Sequence, residues 1–515
     1  MVKKYSNPYF IAAIAVIGGG LFGFDISSMS AIIATESYKC YFDQSIDGTC
    51  MGPRPSVQGG IVASMAGGSW AASLFSGFLS DAIGRRRAVM LATIIWVIGC
   101  IITSASQNIP MLIVGRVLNG FCVGICSAQV PVYISEIAQP SKRGRLTGLQ
   151  QWAITWGILI MFYISYGCSF LSGTKAFRIP WALQMIPAIV LFIGMIFLPE
   201  SPRWLALRGR WQECERVLIL THGHGDEYSP WVGRELQEIH EWVETENGSW
   251  RSGYYELLTP KYLNRTHIGL FTQIWSQLTG VNVMMYYITF VFRSAGVDSS
   301  HLLLSSSIQY IINVVMTIPA LIWIDRIGRR PALLVGSTLM AAFMFANAGI
   351  FAVYGEDAGP DGVDGTREAS FVVKGNASKA VIACSYLFVA SFAPTWGPVS
   401  WIYPPELYPN HLRGKAVALA TSGNWVFNFA LGWFVPPAFV DIQWRVYLVF
   451  ASFCVAMTVH VFFLFPETAG RPLEETNQMF SDHEKGIKYL GTPAWRTKNY
   501  YSRSVRMEHG EDLAK

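Results

Sequence analysis

Two residues of full and opposite charge, Asp25 and Arg116, stand inside long apolar stretches of this 515-residue chain. An unpaired charge at the centre of a bilayer costs at least about 2.5–3.5 kcal/mol on insertion scales, so a residue kept there defaults to a functional role. A mutual ion pair is the economical arrangement. Beside Arg116 the Asp25 carboxylate stays ionised; drawn away from it in a dry site, it takes up a proton. Arg116 lies near the start of its stretch and could instead reach an interface. Asp25, short and enclosed in Gly20-Leu-Phe22-Gly23-Phe24-Asp25, could not.

A second set of residues is neutral. Gln151, Gln277, Asn282, Asn313 and Asn424 are amides deep in apolar stretches, accompanied by Tyr286, Trp401 and Trp425. A lone buried amide most often joins helices. Five amides with two indoles suit a polyhydroxylated ring: amides pair with vicinal hydroxyls, and an aromatic face covers the C–H surface. Phe22 and Ile26 flank Asp25 and would line the same cavity, linking a carbohydrate to a proton. His460 stands alone in its stretch and reads as packing. The nine Cys lack CxxC spacing, so neither a metal site nor a redox motif is expected. No Ser–His pair or phosphate-binding Gly loop suggests an enzyme, and no bound cofactor is expected.

The elements that must hold these groups follow from composition. Charged residues make up 14% of the chain and hydrophobic residues 52%, against about 25% charged in soluble proteins. Its solvent is therefore mostly lipid. A net charge of +5, dispersed along the chain, does not suit nucleic acid. Twelve stretches can cross about 30 Å of hydrocarbon as helices: 8–30, 57–80, 88–108, 111–133, 147–171, 180–198, 267–292, 303–324, 331–354, 379–403, 416–440 and 446–465. The expected fold is an all-α membrane protein of two six-helix bundles, 1–198 and 267–465, with a cytoplasmic helical linker at 199–266 and a cytoplasmic tail at 466–515. With the amino terminus inside, about three quarters of the 39 Lys and Arg fall on the cytoplasmic side, which places both termini there. Cys40 and Cys50 then share the first outer loop, where a disulfide or two free thiols are both open readings. The sequon at Asn376 falls in an outer loop and is a glycosylation candidate.

The halves repeat one another at their cytoplasmic ends. Asp81-Ala-Ile-Gly84-Arg85-Arg86 answers Asp325-Arg-Ile-Gly328-Arg329-Arg330. Glu136, seven residues before Arg143, answers Glu406, seven before Arg413, and Pro199-Glu200 answers Pro466-Glu467. Arginine forks beside carboxylates form bidentate pairs, and the expectation is a cytoplasmic latch tying the two halves together. The alternative is that these charges only set topology. Gly397-Pro398 and Pro404-Pro405 are expected breaks in the tenth stretch, for gating or for packing.

Together the GRR, PESPR, PELYP–LRG, DRxGRR and PETxGR motifs resemble the sugar porter family of the major facilitator superfamily, from about residue 10 to 480. The Trp275–Tyr287 stretch is similar to fungal members. The resemblance implies a hexose transporter, glucose being the expected sugar, that works by alternating access around a midplane site. It implies a monomeric unit in the plasma membrane, with sugar, co-transported protons and the bilayer as its partners. The Asp at position 25 matches the family's proton symporters, and Gln151, Gln277, Asn282, Tyr286, Asn313, Trp401, Asn424 and Trp425 match its monosaccharide-binding positions. Ser276 stands where the family has a second Gln, and Ala469 where it has Lys. A facilitative uniporter and a non-transporting sugar sensor are the alternatives; the short tail disfavours the sensor.

Overall fold

The structure, a computed structural model, describes residues 7–44, 50, 52–138, 143–223, 226, 228–245, 253–359, 362, 363, 366–469 and 480. Helices occupy all twelve expected crossings. The first six are Pro8–Ala15 with Ile17–Ile32, Pro55–Ile83, Arg85–Ser104, Ile109–Ile137, Arg143–Cys168, and Lys175–Leu183 with Met185–Phe197. The second six are Pro260–Leu278 with Val281–Tyr286 and Ile288–Ser294, then Ser299–Ile327, Arg329–Tyr354, Asn376–Phe392 with Trp396–Leu407, Asn410–Asp441, and Arg445–Leu464.

Among the described residues, nine of these crossings are long and apolar enough to span a bilayer by hydropathy alone. The other three, 143–168, 260–294 and 410–441, carry four of the five amides named above, which dilutes their apolar character. Outward faces are apolar: Phe75, Ile101, Val114, Ile186, Val335 and Phe463 are all exposed. Residues of this kind at helix surfaces fit a lipid solvent.

Small residues bring the inner helices backbone to backbone. A Cβ on Gly23 would lie 2.1 Å from the Ile154 carbonyl, and one on Gly157 would lie 2.3 Å from that of Gly20. The first and fifth crossings therefore touch through glycine, the usual close-approach device of membrane helices. Gly120 does the same between the fourth and second crossings, where a Cβ would sit 2.1 Å from the Met65 carbonyl. These two contacts set the positions of Asp25 and Arg116.

Two crossings are interrupted. In the seventh, Gly280 takes a left-handed conformation (φ 87°) between Leu278 and Val281. In the tenth, the gap falls at 393–395, just before the position expected. Gly397 and Pro398 lie instead in the first turn of Trp396–Leu407, where a proline needs no N–H partner and breaks nothing. Pro404 and Pro405 lie inside that helix.

Between the two sets of six, helices Pro202–Leu207, Trp211–Thr221 and Pro230–Thr245 share a small core of Trp204, Leu205, Cys214, Leu218, Val232 and Ile239. On the opposite face, Cys40 and Cys50 are joined in a disulfide beside the short helix Glu36–Tyr41. Asn376 is exposed at the start of the tenth crossing. Beyond residue 469 only Phe480 belongs to the described residues, so the tail assigned to 466–515 lies mostly outside them.

Candidate functional site

Asp25 and Arg116 meet in the interior. Nη2 of Arg116 donates to Oδ2 of Asp25 at 2.9 Å and Nη1 to Oδ1 at 3.5 Å, with both residues 1% exposed. The interface alternative for Arg116 is thereby removed. Two further donors are engaged: Nε donates to the Ile61 carbonyl at 2.8 Å and Nη2 to that of Val62 at 3.3 Å. The guanidinium is thus held by the second crossing as well as by the carboxylate. It keeps two strong acceptors if Asp25 becomes neutral.

The neutral set lies across the interface of the two halves, and every member is buried. Trp401 donates its indole N–H to Oε1 of Gln151 at 3.0 Å, joining the tenth crossing to the fifth. Trp425 donates to Oγ of Ser127 at 3.0 Å, joining the eleventh to the fourth, and its ring stands edge-on to Phe22 at 4.8 Å. Phe22 lies three residues before Asp25, and Ser127 shares a helix with Arg116. The aromatic wall of the polar site is thereby mechanically tied to the ion pair. Nδ2 of Asn282 donates to Oε1 of Gln277, as does that of Asn428 at 3.4 Å. Asn313 sits apart from these amides, donating to Sδ of Met285 at 3.9 Å. Tyr286 is buried on the short helix Val281–Tyr286 with Asn282.

Three residues of this network were not singled out from the sequence: Gln273, Ser127 and Asn428. Gln273 is one helical turn before Gln277, so the i, i+4 spacing placed both on one face and could have revealed it. Ser127 and Asn428 carried no signal beyond their own polarity. Ser276 is a partner rather than a gap, because Nδ2 of Asn424 donates to its Oγ at 3.3 Å. His460 is not alone either. Its Nδ1 accepts from the Trp275 indole at 2.6 Å, and its ring lies 5.0 Å from that of His267.

Among the described residues, the charges expected at the cytoplasmic face form their arginine–carboxylate pairs within each half, and both clusters also touch the opposite half. Arg85 pairs with Asp81 at 3.1 Å and Glu136 at 3.2 Å. Arg329 pairs with Asp325 at 2.9 Å and Glu406 at 2.7 Å. Glu200 accepts from the backbone N–H of Arg86 at 3.1 Å, while Glu467 accepts from those of Arg329 and Arg330 at 2.9 and 3.0 Å. Each carboxylate therefore caps a helix N-terminus, where negative charge is favoured. Burial pushes the Glu200 carboxyl up, and these backbone donors oppose the shift. The glycines explain the geometry. Gly84 and Gly328 have φ of 96° and 95°, and a Cβ on either would collide with Glu200 or Glu467. The tight turn folds each arginine back onto its own helix ends, where its guanidinium lies beside a glycine of the other half: a Cβ on Gly144 would sit 2.6 Å from Nη2 of Arg329, and one on Gly414 3.8 Å from Nη2 of Arg85. Arg413 likewise donates to the carbonyls of Pro405 and Tyr408 at 3.1 and 3.4 Å. Arg143 opens the fifth crossing, and its side chain lies outside the described residues.

Other contacts cross between the halves on this face. Lys415 approaches Asp81 at 4.0 Å, and Gly144 lies against Asp325 so closely that a Cβ would sit 2.3 Å from its Oδ1. Tyr254 of the linker donates to the Leu74 carbonyl at 2.6 Å. On the opposite face Ser30 and Tyr310 share a hydrogen bond of 2.8 Å, and Lys39 donates to Thr366 at 3.1 Å. The halves thus touch at both ends around the polar site.

Comparison with known proteins agrees with this architecture. The family described as Sugar (and other) transporter matches residues 11–480. The chain is 46% identical to a high-affinity glucose transporter of Kluyveromyces lactis, over 98% of this chain and 90% of that protein. It is 43% identical to High-affinity glucose transporter 1 of Candida albicans, over 99% and 93%. It is also 34% identical to the high glucose sensor RGT2 of Saccharomyces cerevisiae, over 91% of this chain and 60% of that one. Among solved structures, the proton:xylose symporter XylE bound to 6-bromo-6-deoxy-D-glucose superposes with a TM-score of 0.77 at 25% identity, covering 93% and 100% of the two chains. The inward-open form of XylE from E. coli gives 0.68 at 25% identity, covering 92% and 99%. These relatives are described as transporters, or in one case as a sensor, and none as an enzyme. Twelve helical crossings among the described residues, an internal duplication and the family match lead to one conclusion: the chain is an integral membrane protein of the sugar transporter family, with the major facilitator fold.

Proposed function

We propose that the protein is a proton-coupled symporter for a monosaccharide, glucose or a related hexose, acting at the plasma membrane. One observation carries this reading: a buried carboxylate–guanidinium pair mechanically tied, through Phe22 and Trp425, to a wall of amides and indoles. The glucose transporters among its relatives support the substrate class, and the symporter among the solved structures supports the coupling. The sugar lies between the halves, its hydroxyls met by Gln151, Gln277, Asn282 and Asn424 and its ring faced by Trp401 and Trp425. Asp25 takes a proton when the outer side opens and water reaches it. Neutral Asp25 releases Arg116 to the carbonyls of Ile61 and Val62, and the first crossing is free to move with the loaded sugar. Release of the proton inside restores the pair.

Facilitated uniport is the competing mechanism, since an ion pair of this kind can also serve structure alone. Uptake of a radiolabelled hexose panel in transport-null cells, with and without a protonophore, separates the two. Symport predicts loss of uphill accumulation under the protonophore and alkalinisation of the medium on sugar addition. Accumulation indifferent to the protonophore would remove the coupling. Absence of any uptake, with sugar binding retained, would favour a sensor.

A further inference from the structure

Pro404 has no backbone N–H, so the carbonyl four residues earlier, that of Ser400, lacks its partner within the helix. Gln273 of the seventh crossing fills the vacancy by donating Nε2–H to the Ser400 carbonyl at 2.7 Å. A carbonyl only accepts, so the Gln273 amide cannot be turned round. Its Oε1 therefore faces the eleventh crossing, where it accepts from Nδ2 of Asn424 at 2.6 Å. The second hydrogen of Asn424 goes to Oγ of Ser276 at 3.3 Å, and that hydroxyl donates its own proton to the Gln273 carbonyl at 2.8 Å. Both Asn424 N–H groups are thus taken. What remains is Oδ1, buried and without a partner among the described residues, on a residue only 1% exposed.

We propose that Gln273 is a positioning residue that fixes Asn424 as a pure hydrogen-bond acceptor, so that this part of the site selects a sugar hydroxyl able to donate. The inference rests on the reading of the central site as a sugar site, and adds to it the polarity of one contact. An amide free to rotate offers either a donor or an acceptor; one locked by Gln273 and Ser276 offers a single choice. A ligand lacking the donor leaves Oδ1 buried and unpaired, a penalty that corresponds to about tenfold in affinity. Gly423 lies beside this contact, against the Leu270 side chain of the seventh crossing.

The test is competition for hexose uptake by deoxy and deoxyfluoro analogues at each ring position, in cells expressing the full chain. Fluorine accepts weakly and cannot donate. At one ring position both analogues should therefore compete about tenfold less well than the parent sugar, and equally. Gln273→Leu frees the Asn424 amide, and Pro404→Ala gives Ser400 an N–H partner and releases Gln273. In both variants the fluoro analogue should overtake the deoxy analogue at that position, a change of pattern that a merely destabilised carrier would not show. The inference is overturned if fluoro outcompetes deoxy at every position in the unaltered protein, or if both variants keep the original pattern. Failure of the unaltered protein to take up or bind any hexose would instead overturn the sugar-site reading, and this inference with it.

Discussion

The indole N–H of Trp401 reaches Oε1 of Gln151 at 3.0 Å, a bond that joins the tenth crossing to the fifth and hence one half of the molecule to the other. Together with Trp425 and Ser127 it places two cross-half hydrogen bonds in the polar site itself. A ligand that binds there must exchange with or extend these bonds, so occupancy and the separation of the halves are linked.

Replacing Trp401 by Ala removes both the ring face and the partner of Gln151. The half-saturation concentration for hexose uptake should rise by tenfold or more, from the loss of about 1.5–3 kcal/mol of aromatic contact. Trp401→Phe should recover part of the affinity. Initial uptake rates against sugar concentration give the answer, and an unchanged half-saturation in the Ala variant would place the sugar elsewhere.

Asp25→Asn keeps the shape of the side chain and removes its titration. Uphill accumulation should vanish while exchange of labelled for unlabelled sugar across the membrane persists. Retained accumulation against a gradient would exclude Asp25 as the proton carrier.

Removing Arg116 leaves a carboxylate buried without its counter-charge, a change that costs about 3–5 kcal/mol in comparable buried pairs. Arg116→Leu should therefore lower the melting temperature of the purified protein and its surface abundance. Adding Asp25→Asn to the same chain should restore much of the loss, because the orphaned charge is gone. Equal damage in the single and double variants would mean that Arg116 is needed mainly for the carbonyls of Ile61 and Val62.

Arg329 holds Asp325 and Glu406 at 2.9 and 2.7 Å and is almost wholly buried. Arg329→Ala should cost about 3 kcal/mol or more of stability by leaving two carboxylates facing one another. Lys415→Ala, by contrast, touches a contact between the halves and should leave stability nearly intact while altering the rate of sugar exchange. Thermal unfolding of both variants, with exchange rates measured in parallel, distinguishes the staples from the cross-half contact.

Asn376→Gln should increase gel mobility by one glycan if the exposed sequon is modified; no change would leave the site unoccupied.

The sequence by itself determined the solvent and the number of crossings, because hydropathy over twenty residues is a local sum that needs no neighbours. It also marked Asp25 and Arg116, since charge inside an apolar run stands out whatever surrounds it. What the tertiary structure decided was partnership. The repeated charges read as a tie between the halves or as topology signals alone, and only the structure showed each arginine paired with carboxylates of its own half while lying against a glycine of the other. Gln273 looked like any amide until Pro404, on another helix, was seen to free the carbonyl it binds. Direction and pairing of side chains depend on which helices touch, and helix contacts arise from glycines and breaks distributed across hundreds of residues, beyond the reach of any single stretch.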